Sequence, residues 1–283
     1  MDWIYLSPHF DDVVYSCAGL LWEQVQAGET VQIWTVCAGE PLPGEFSAFA
    51  REHHVRWESG EQAVAHRMLE DQRACRQIGA AYHYLPVPDC IYRRTGEAYF
   101  RKKAGRNASP LAQDPQPDRP NEHLYTSLEA IFGPLKPEEA GLVQQVSKEL
   151  SKKLPEGSQL VCPLTLGGHV DHQLTRRAAE GLSASRWSLW FYADFPYVLR
   201  STSQVEELKK TGWQSLTFPI SSAGIAAWYS AILAHRSQIS TFWNDLPTLR
   251  AELEGYVAQN GGATLWRQPC DLPGDPLRRH TPR

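Results

Sequence analysis

Three acceptor side chains, His9, Asp11 and Asp12, fall within four positions, and no lysine or arginine lies near them in the chain. Carboxylates and an imidazole crowded in this way repel one another. A divalent cation resolves the conflict, and these are ligand types that zinc accepts. A second group, His169, Asp171 and His172, follows Gly167-Gly168 far down the chain. His169 and His172 stand three apart, so a first helical turn can aim both at one point, and Asp171 can orient a ring through its other nitrogen. His9, Asp12 and His172 together supply three protein ligands and leave one position open for water, as in catalytic rather than structural zinc sites. Zinc brings the pKa of that water to roughly 7. Asp11 would then take its proton as general base. His169, as imidazolium, would stabilise an oxyanion or protonate a departing amine. Such a constellation hydrolyses amides.

Blander readings exist for each group. The first could be an Asp cap on a helix beside a polar loop histidine, and the second two solvent-facing histidines with a helix cap. Two further readings keep the residues but change the role. His9, Asp11 and His172 also satisfy the two-histidine, one-carboxylate triad of iron(II) oxygenases, with Fe2+ as the alternative metal. A binding protein that retained the fold would need the ligands but not the base.

The elements around these groups explain their placement. An apolar run over 3–6, stopped by Ser7-Pro8, reads as a buried strand, and helical spacing of Val13, Val14, Cys17, Leu20, Leu21 and Val25 begins at once. The same order recurs at 159–164, where a buried strand leads through the glycines into a helix running to 182. Further strands are expected at 31–37, 82–87, 188–192 and 215–218, and helices at 61–78, 137–150, 204–210 and 222–242. Gly79 closes the helix at 61–78, whose core face is read as Ala65, Met68, Leu69, Ala74 and Ile78, with Arg67, Glu70 and Asp71 on a solvated face. Alternating strands and helices predict an α/β fold with ligands at the carboxyl ends of the strands. The connection 38–60 carries His53 and His54, candidates to reach a ligand that are otherwise solvated loop residues. Asp89 follows another strand end. Residues 90–125, with basic Arg93 and Arg94 among them, read as an excursion inserted over the sheet, and 274–283 as a loose tail. With no repeat and no clear linker, 1–273 is expected to be a single domain.

An apolar fraction of 42% and a charged fraction of 21% are those of an ordinary globular chain, and a net charge of −4 gives no support to nucleic-acid binding. No apolar run approaches a membrane span and no signal segment is visible. Six cysteines without a CxxC pair suit a reducing cytoplasm, with Cys17, Cys37 and Cys162 in buried runs. The oligomeric state is left open.

Ser7-Pro8-His9-Phe10-Asp11-Asp12 resembles the opening motif of the PIG-L (LmbE-like) zinc-dependent deacetylases, and Gly168-His169-Val170-Asp171-His172 resembles their HxDH motif. Arg67, Glu70, Ala74 and Ile78-Gly79 are similar to the helix between them, and Pro88-Asp89 to the Asp after the next strand. Across residues 3–197 the resemblance implies a Rossmann-like, mostly parallel sheet flanked by helices. It implies removal of an N-acetyl group from an N-acetylglucosamine-type sugar or glycoconjugate. It makes His9, Asp12 and His172 ligands of Zn2+, Asp11 the base, His169 the oxyanion stabiliser or acid supported by Asp171, and Arg67 and Asp89 contacts to the sugar. A zinc hydratase or a hydrolase of a non-sugar amide is the alternative on the same fold. Phe10 replaces the usual Pro, Val13 stands where an acid often follows, and Gly167 stands where some members carry Tyr.

Overall fold

The computed structural model describes residues 1–100 and 122–269. The middle of the expected excursion at 90–125 and the whole of the 274–283 tail lie outside these. The chain runs β1 (Asp2–Ser7), α1 (Asp12–Gln26), β2 (Thr30–Thr35), α2 (Ala48–Arg56), α3 (Ala63–Ile78), β3 (Ala81–Tyr84), α4 (Leu128–Ile131) and α5 (Ala140–Lys153). It continues through β4 (Gln159–Pro163), α6 (Val170–Glu180), β5 (Ser188–Tyr192), α7 (Thr202–Lys210), β6 (Gln214–Phe218), α8 (Ser222–Ala234), α9 (Arg236–Phe242), α10 (Leu246–Asn260) and β7 (Ala263–Arg267).

The strands form one sheet in the order β3-β2-β1-β4-β5-β7-β6. The first five are mutually parallel, while β7 runs antiparallel to both β5 and β6. β1 is central, with Tyr5 opposite Ile33 of β2 on one side and Val161 of β4 on the other. Both of its faces are covered, which explains its continuous apolar run: Ile4 and Leu6 enter one core, Trp3 and Tyr5 the other. The chain leaves β1 toward β2 and returns on the opposite side as β4. The carboxyl ends of β1 and β4 therefore flank the point where strand order reverses, the crevice in which open α/β sheets bind ligands.

Helix α8 lies against α1, where the fully buried Trp228 donates its indole N–H to Tyr15 O at 3.0 Å. A Cβ at Gly19 would come within 2.5 Å of the Trp228 ring, so glycine sets how closely these helices approach. Emptying this contact by Trp228→Ala would cost about 3–5 kcal/mol.

Several expectations are corrected. The connection at 38–60 contains α2, which carries His53 and His54 inward: His53 Nδ1 meets Phe49 O at 2.9 Å and His54 Nε2 meets Tyr92 Oη at 2.7 Å. The helix expected at 222–242 is broken at His235, whose backbone (φ −88°, ψ 54°) leaves the helical region. Helix α10 and β7 were not anticipated. On α3, Ala74 and Ile78 are buried as expected, but Ala65 and Leu69 are exposed, while Arg67, Glu70 and Asp71 are buried. The reason is that Arg67 turns inward to Asp11 and Asp89, and the two acids after it have partners of their own. Glu70 accepts from Ser237 N and Oγ, and Asp71 from Tyr84 Oη at 2.6 Å.

Candidate metal and active site

The turn after β1 is closed by Ser7, whose hydroxyl donates to His9 O at 2.5 Å and accepts from Val13 N at 3.2 Å. The His9 N–H donates to Asp12 Oδ2 at 2.7 Å. Asp11 occupies the cap position of α1 but makes no capping bond with its side chain. Its carboxylate turns instead to Arg67, with Nη2 3.2 Å from Oδ1. The helix-cap reading therefore fails for Asp11. At the other turn, His169 does cap α6, its Nδ1 accepting from Asp171 N at 3.2 Å.

Residues from the two turns meet. His9 Nδ1 lies 3.0 Å from Asp12 Oδ2 and His172 Nε2 lies 3.3 Å from Asp12 Oδ1. Each ring also has a carboxylate at its far nitrogen: Asp171 Oδ2 is 2.8 Å from His9 Nε2, and Asp194 Oδ1 is 2.6 Å from His172 Nδ1. Such partners fix tautomer and ring orientation, turning His9 Nδ1 and His172 Nε2 toward the same carboxylate. His9, His169 and His172 also offer nitrogens all within 4.8 Å of one another. Neither Asp11 nor Asp12 joins one of these close groups among the described residues; what distinguishes them is that Asp12 reaches both rings while Asp11 turns to Arg67.

The electrostatics match a cation site. Burial opposes charge on His172, yet Asp12 and its bond, with Asp194, raise its pKa to about 10, and His9 is raised well above its ordinary value by Asp89 and Asp12 against burial. Burial also opposes ionisation of Asp12, but His172 and His9 hold that carboxyl well below the usual range. Two imidazole protons thus surround one carboxylate at the position a single divalent cation would take, and two neutral nitrogens with one oxygen are a donor set that fits zinc. Burial, then the charge of His9, pushes His169 down to about 3. Both effects favour the neutral ring. With Nδ1 accepting from the backbone, its proton sits on Nε2, beside Cys90 Sγ at 4.0 Å. Burial and Asp12 raise Asp11, and Arg67 pulls it the other way.

Residues 4–183 match the PIG-L family, described as GlcNAc-PI de-N-acetylase. The chain belongs to the PIG-L family. It is 28% identical over 295 residues to a 2'-N-acetylparomamine deacetylase of Niallia circulans, covering 97% of each chain. Its fold is shared with the zinc-inhibited form of the teicoplanin deacetylase Orf2 (TM-score 0.71, 22% identity, 96% and 100% of the two chains). It is also shared with the A40926 pseudoaglycone deacetylase Dbv21 (TM-score 0.62, 21% identity, 93% and 95%).

In this PIG-L chain, Arg67 and Asp89 stand in the wall of the site, Nη1 3.4 Å from Asp89 Oδ2, with Arg67 stacked 4.6 Å over Trp57. Phe10, in place of the usual Pro, packs edge-on to Tyr84 at 5.5 Å and lies under Arg67 at 5.7 Å. Gly167 (φ +86°) makes room for Tyr197: a Cβ there would come within 2.7 Å of that ring. Tyr197 stands edge-on to His172 at 6.2 Å, and Phe132 edge-on to His169 at 5.4 Å, so two aromatic rings border the histidines. Burial, then Asp12 and Asp11, raise the Tyr197 phenol, which stays protonated. His53 and His54 belong to none of the close donor groups found among the described residues, and they pack beside Trp57 instead. Asp194, Arg93 and Glu139 were missed from sequence. Asp194 had one usable signal, an acid directly after a strand end. Arg93 and Glu139 had none.

Proposed function

We propose that this chain is a zinc-dependent N-deacetylase acting on an N-acetylated amino sugar carried by a glycoconjugate. The observation that carries the reading is Asp12 set between His9 Nδ1 and His172 Nε2, with Asp11 alongside but turned away to Arg67. The sugar is supported by the name of the curated relative, which matches nearly the whole of both chains.

His9, Asp12 and His172 would hold the ion, which when bound lowers the pKa of water to roughly 7 and polarises a carbonyl. Asp11 serves as base. Arg67 fixes Oδ1, and burial raises the carboxyl toward the range where it both takes a proton and later returns it to the leaving amine. His169, neutral with its proton on Nε2, donates that hydrogen to the oxyanion. Asp171 and Asp194 keep the two ligating rings in place. Arg67 and Asp89 form the polar wall facing the sugar, with Tyr197 and Phe132 as the apolar one.

Residues 1–273 are taken as one domain. Five described cysteines are free and buried, and we place the chain in the cytoplasm on that ground. Among the described residues no helix is long and apolar enough to cross a membrane.

The test is metal analysis of the purified protein together with acetate release from a panel of N-acetylated amino sugars and aminoglycosides. One equivalent of zinc and turnover of at least one sugar amide are expected. Turnover confined to non-sugar amides, or none with the metal-loaded protein, overturns the reading.

A further inference from the structure

Arg93 is completely buried, although it lies within the stretch read from sequence as an excursion with basic residues. Every nitrogen of its fork is engaged. Nε and Nη2 meet the two oxygens of Glu139 at 2.5 and 3.2 Å, while Nη1 contacts Asp171 Oδ1 at 2.5 Å and donates to Pro88 O at 3.1 Å. Glu139 in turn accepts from Tyr125 Oη at 2.5 Å. The other oxygen of Asp171 receives His9 Nε2 and the Cys90 N–H, the latter at 2.9 Å. One guanidinium therefore ties together the start of α5, the carbonyl preceding Asp89, and the carboxylate that orients His9.

We infer that Arg93 is a positioning residue for the metal site, acting on His9 through Asp171. The inference rests on the reading of His9 as a ligand. Asp171 uses Oδ2 to hold the His9 ring and to accept from Cys90 N, while its Oδ1, which no hydrogen bond satisfies among the described residues, lies in ion-pair contact with Arg93. A buried carboxylate also needs a counter-charge, and Arg93 supplies it. Glu139 anchors the guanidinium from behind with two parallel bonds, a geometry lysine cannot reproduce. The fork thus transmits a fixed position from α5 to a histidine on the far side of the sheet's switch point.

The test compares wild type, Arg93→Lys, Asp171→Asn and the pair Arg93→Met with Asp171→Asn, reading zinc affinity by competition with a chromophoric chelator. Arg93→Lys is expected to weaken zinc binding about 10–100-fold, the usual effect of losing a partner behind a ligand. Because Arg93 acts through Asp171, the pair should bind zinc as Asp171→Asn alone does. Wild-type affinity in Arg93→Lys overturns the inference. Should that variant not fold, the pair carrying Glu139→Gln as well is compared with Asp171→Asn, since the triple variant leaves no buried ion without its partner; a further multiplicative loss in it overturns the inference. If the wild-type protein binds no divalent cation, the hydrolase reading fails instead. The ring-nitrogen NMR signals of His9 in the metal-free protein then judge Arg93, a displaced Nε2 signal in Arg93→Lys supporting it and an unchanged one refuting it.

Discussion

Replacing Asp11 by Asn separates base chemistry from metal binding. Asn has the same shape, keeps an oxygen for Arg67 Nη2, and touches neither imidazole, so the metal content should stay near that of the wild type. What disappears is the proton acceptor. A positioned general base contributes about 10²- to 10⁴-fold, or roughly 2.7–5.5 kcal/mol of barrier at 1.36 kcal/mol per tenfold. The stability cost should be smaller. An arginine stripped of all partners in a buried site would cost about 3–5 kcal/mol, but Arg67 keeps Asp89 at 3.4 Å and its stacking on Trp57. The loss is then close to that of one charged hydrogen bond, about 1.5–3 kcal/mol. Acetate release under saturating substrate, metal analysis and thermal unfolding on the same preparation give all three quantities. A kcat within tenfold of wild type would refute the role of base; a protein emptied of metal would show that Asp11 belongs with the ligands.

His172→Ala should remove the metal and activity together, and full zinc occupancy in that variant would strike it from the ligand set. Asp194→Ala leaves His172 Nδ1 without its partner at 2.6 Å, so zinc affinity should fall about 10–100-fold with little change in KM, as read by chelator competition. Burial pushes the Asp71 carboxyl up to about 7 against its bond from Tyr84, so the folded chain keeps a proton there that the unfolded chain releases above about pH 4. That contribution to stability is whole below pH 4 and lost as pH rises to about 7; Asp71→Asn should flatten the fall, and a denaturation series with an unchanged pH slope would count against it. Gly167→Ala forces a side chain into the left-handed region at about 1–2 kcal/mol and against Tyr197, so both Tm should drop and KM rise.

The two motifs were legible because their chemistry is local: each packs its histidines and aspartates into one turn that a strand and a helix bracket. The central strands could be read for the same reason, being short apolar runs with clear stops. What stayed hidden depends on tertiary contact. Arg93 looks like any arginine of a polar stretch, and only the fold brings Glu139 and Asp171 to it. Asp194 lies 22 residues from His172, and no spacing rule links them. On α3 the rule that apolar residues face inward misassigned the helix face, because the inward side there meets a polar site instead of a core. Helix α10 did carry a signal, with Leu249, Leu253, Tyr256 and Val257 buried on one side at helical spacing.

The charge balance of the site explains why these pieces belong together. Asp11, Asp12, Asp89, Asp171, Asp194 and Glu139 are buried or nearly so, and among the described residues they face two guanidiniums, Arg67 and Arg93. With neutral imidazoles the cluster would carry a large excess of negative charge in a low dielectric, which a folded chain does not sustain without compensation. The arginines are placed where that excess must be permanent: Arg67 beside Asp11 and Asp89, Arg93 behind Asp171. Among the described residues no guanidinium reaches Asp12, whose side-chain partners are the rings of His9 and His172. On the proposed function the compensation there is exchangeable, protons in the metal-free protein and a divalent cation in the loaded one. Metal binding should therefore release protons, strengthen as pH rises until the two imidazoles are free, and stabilise the whole switch point of the sheet.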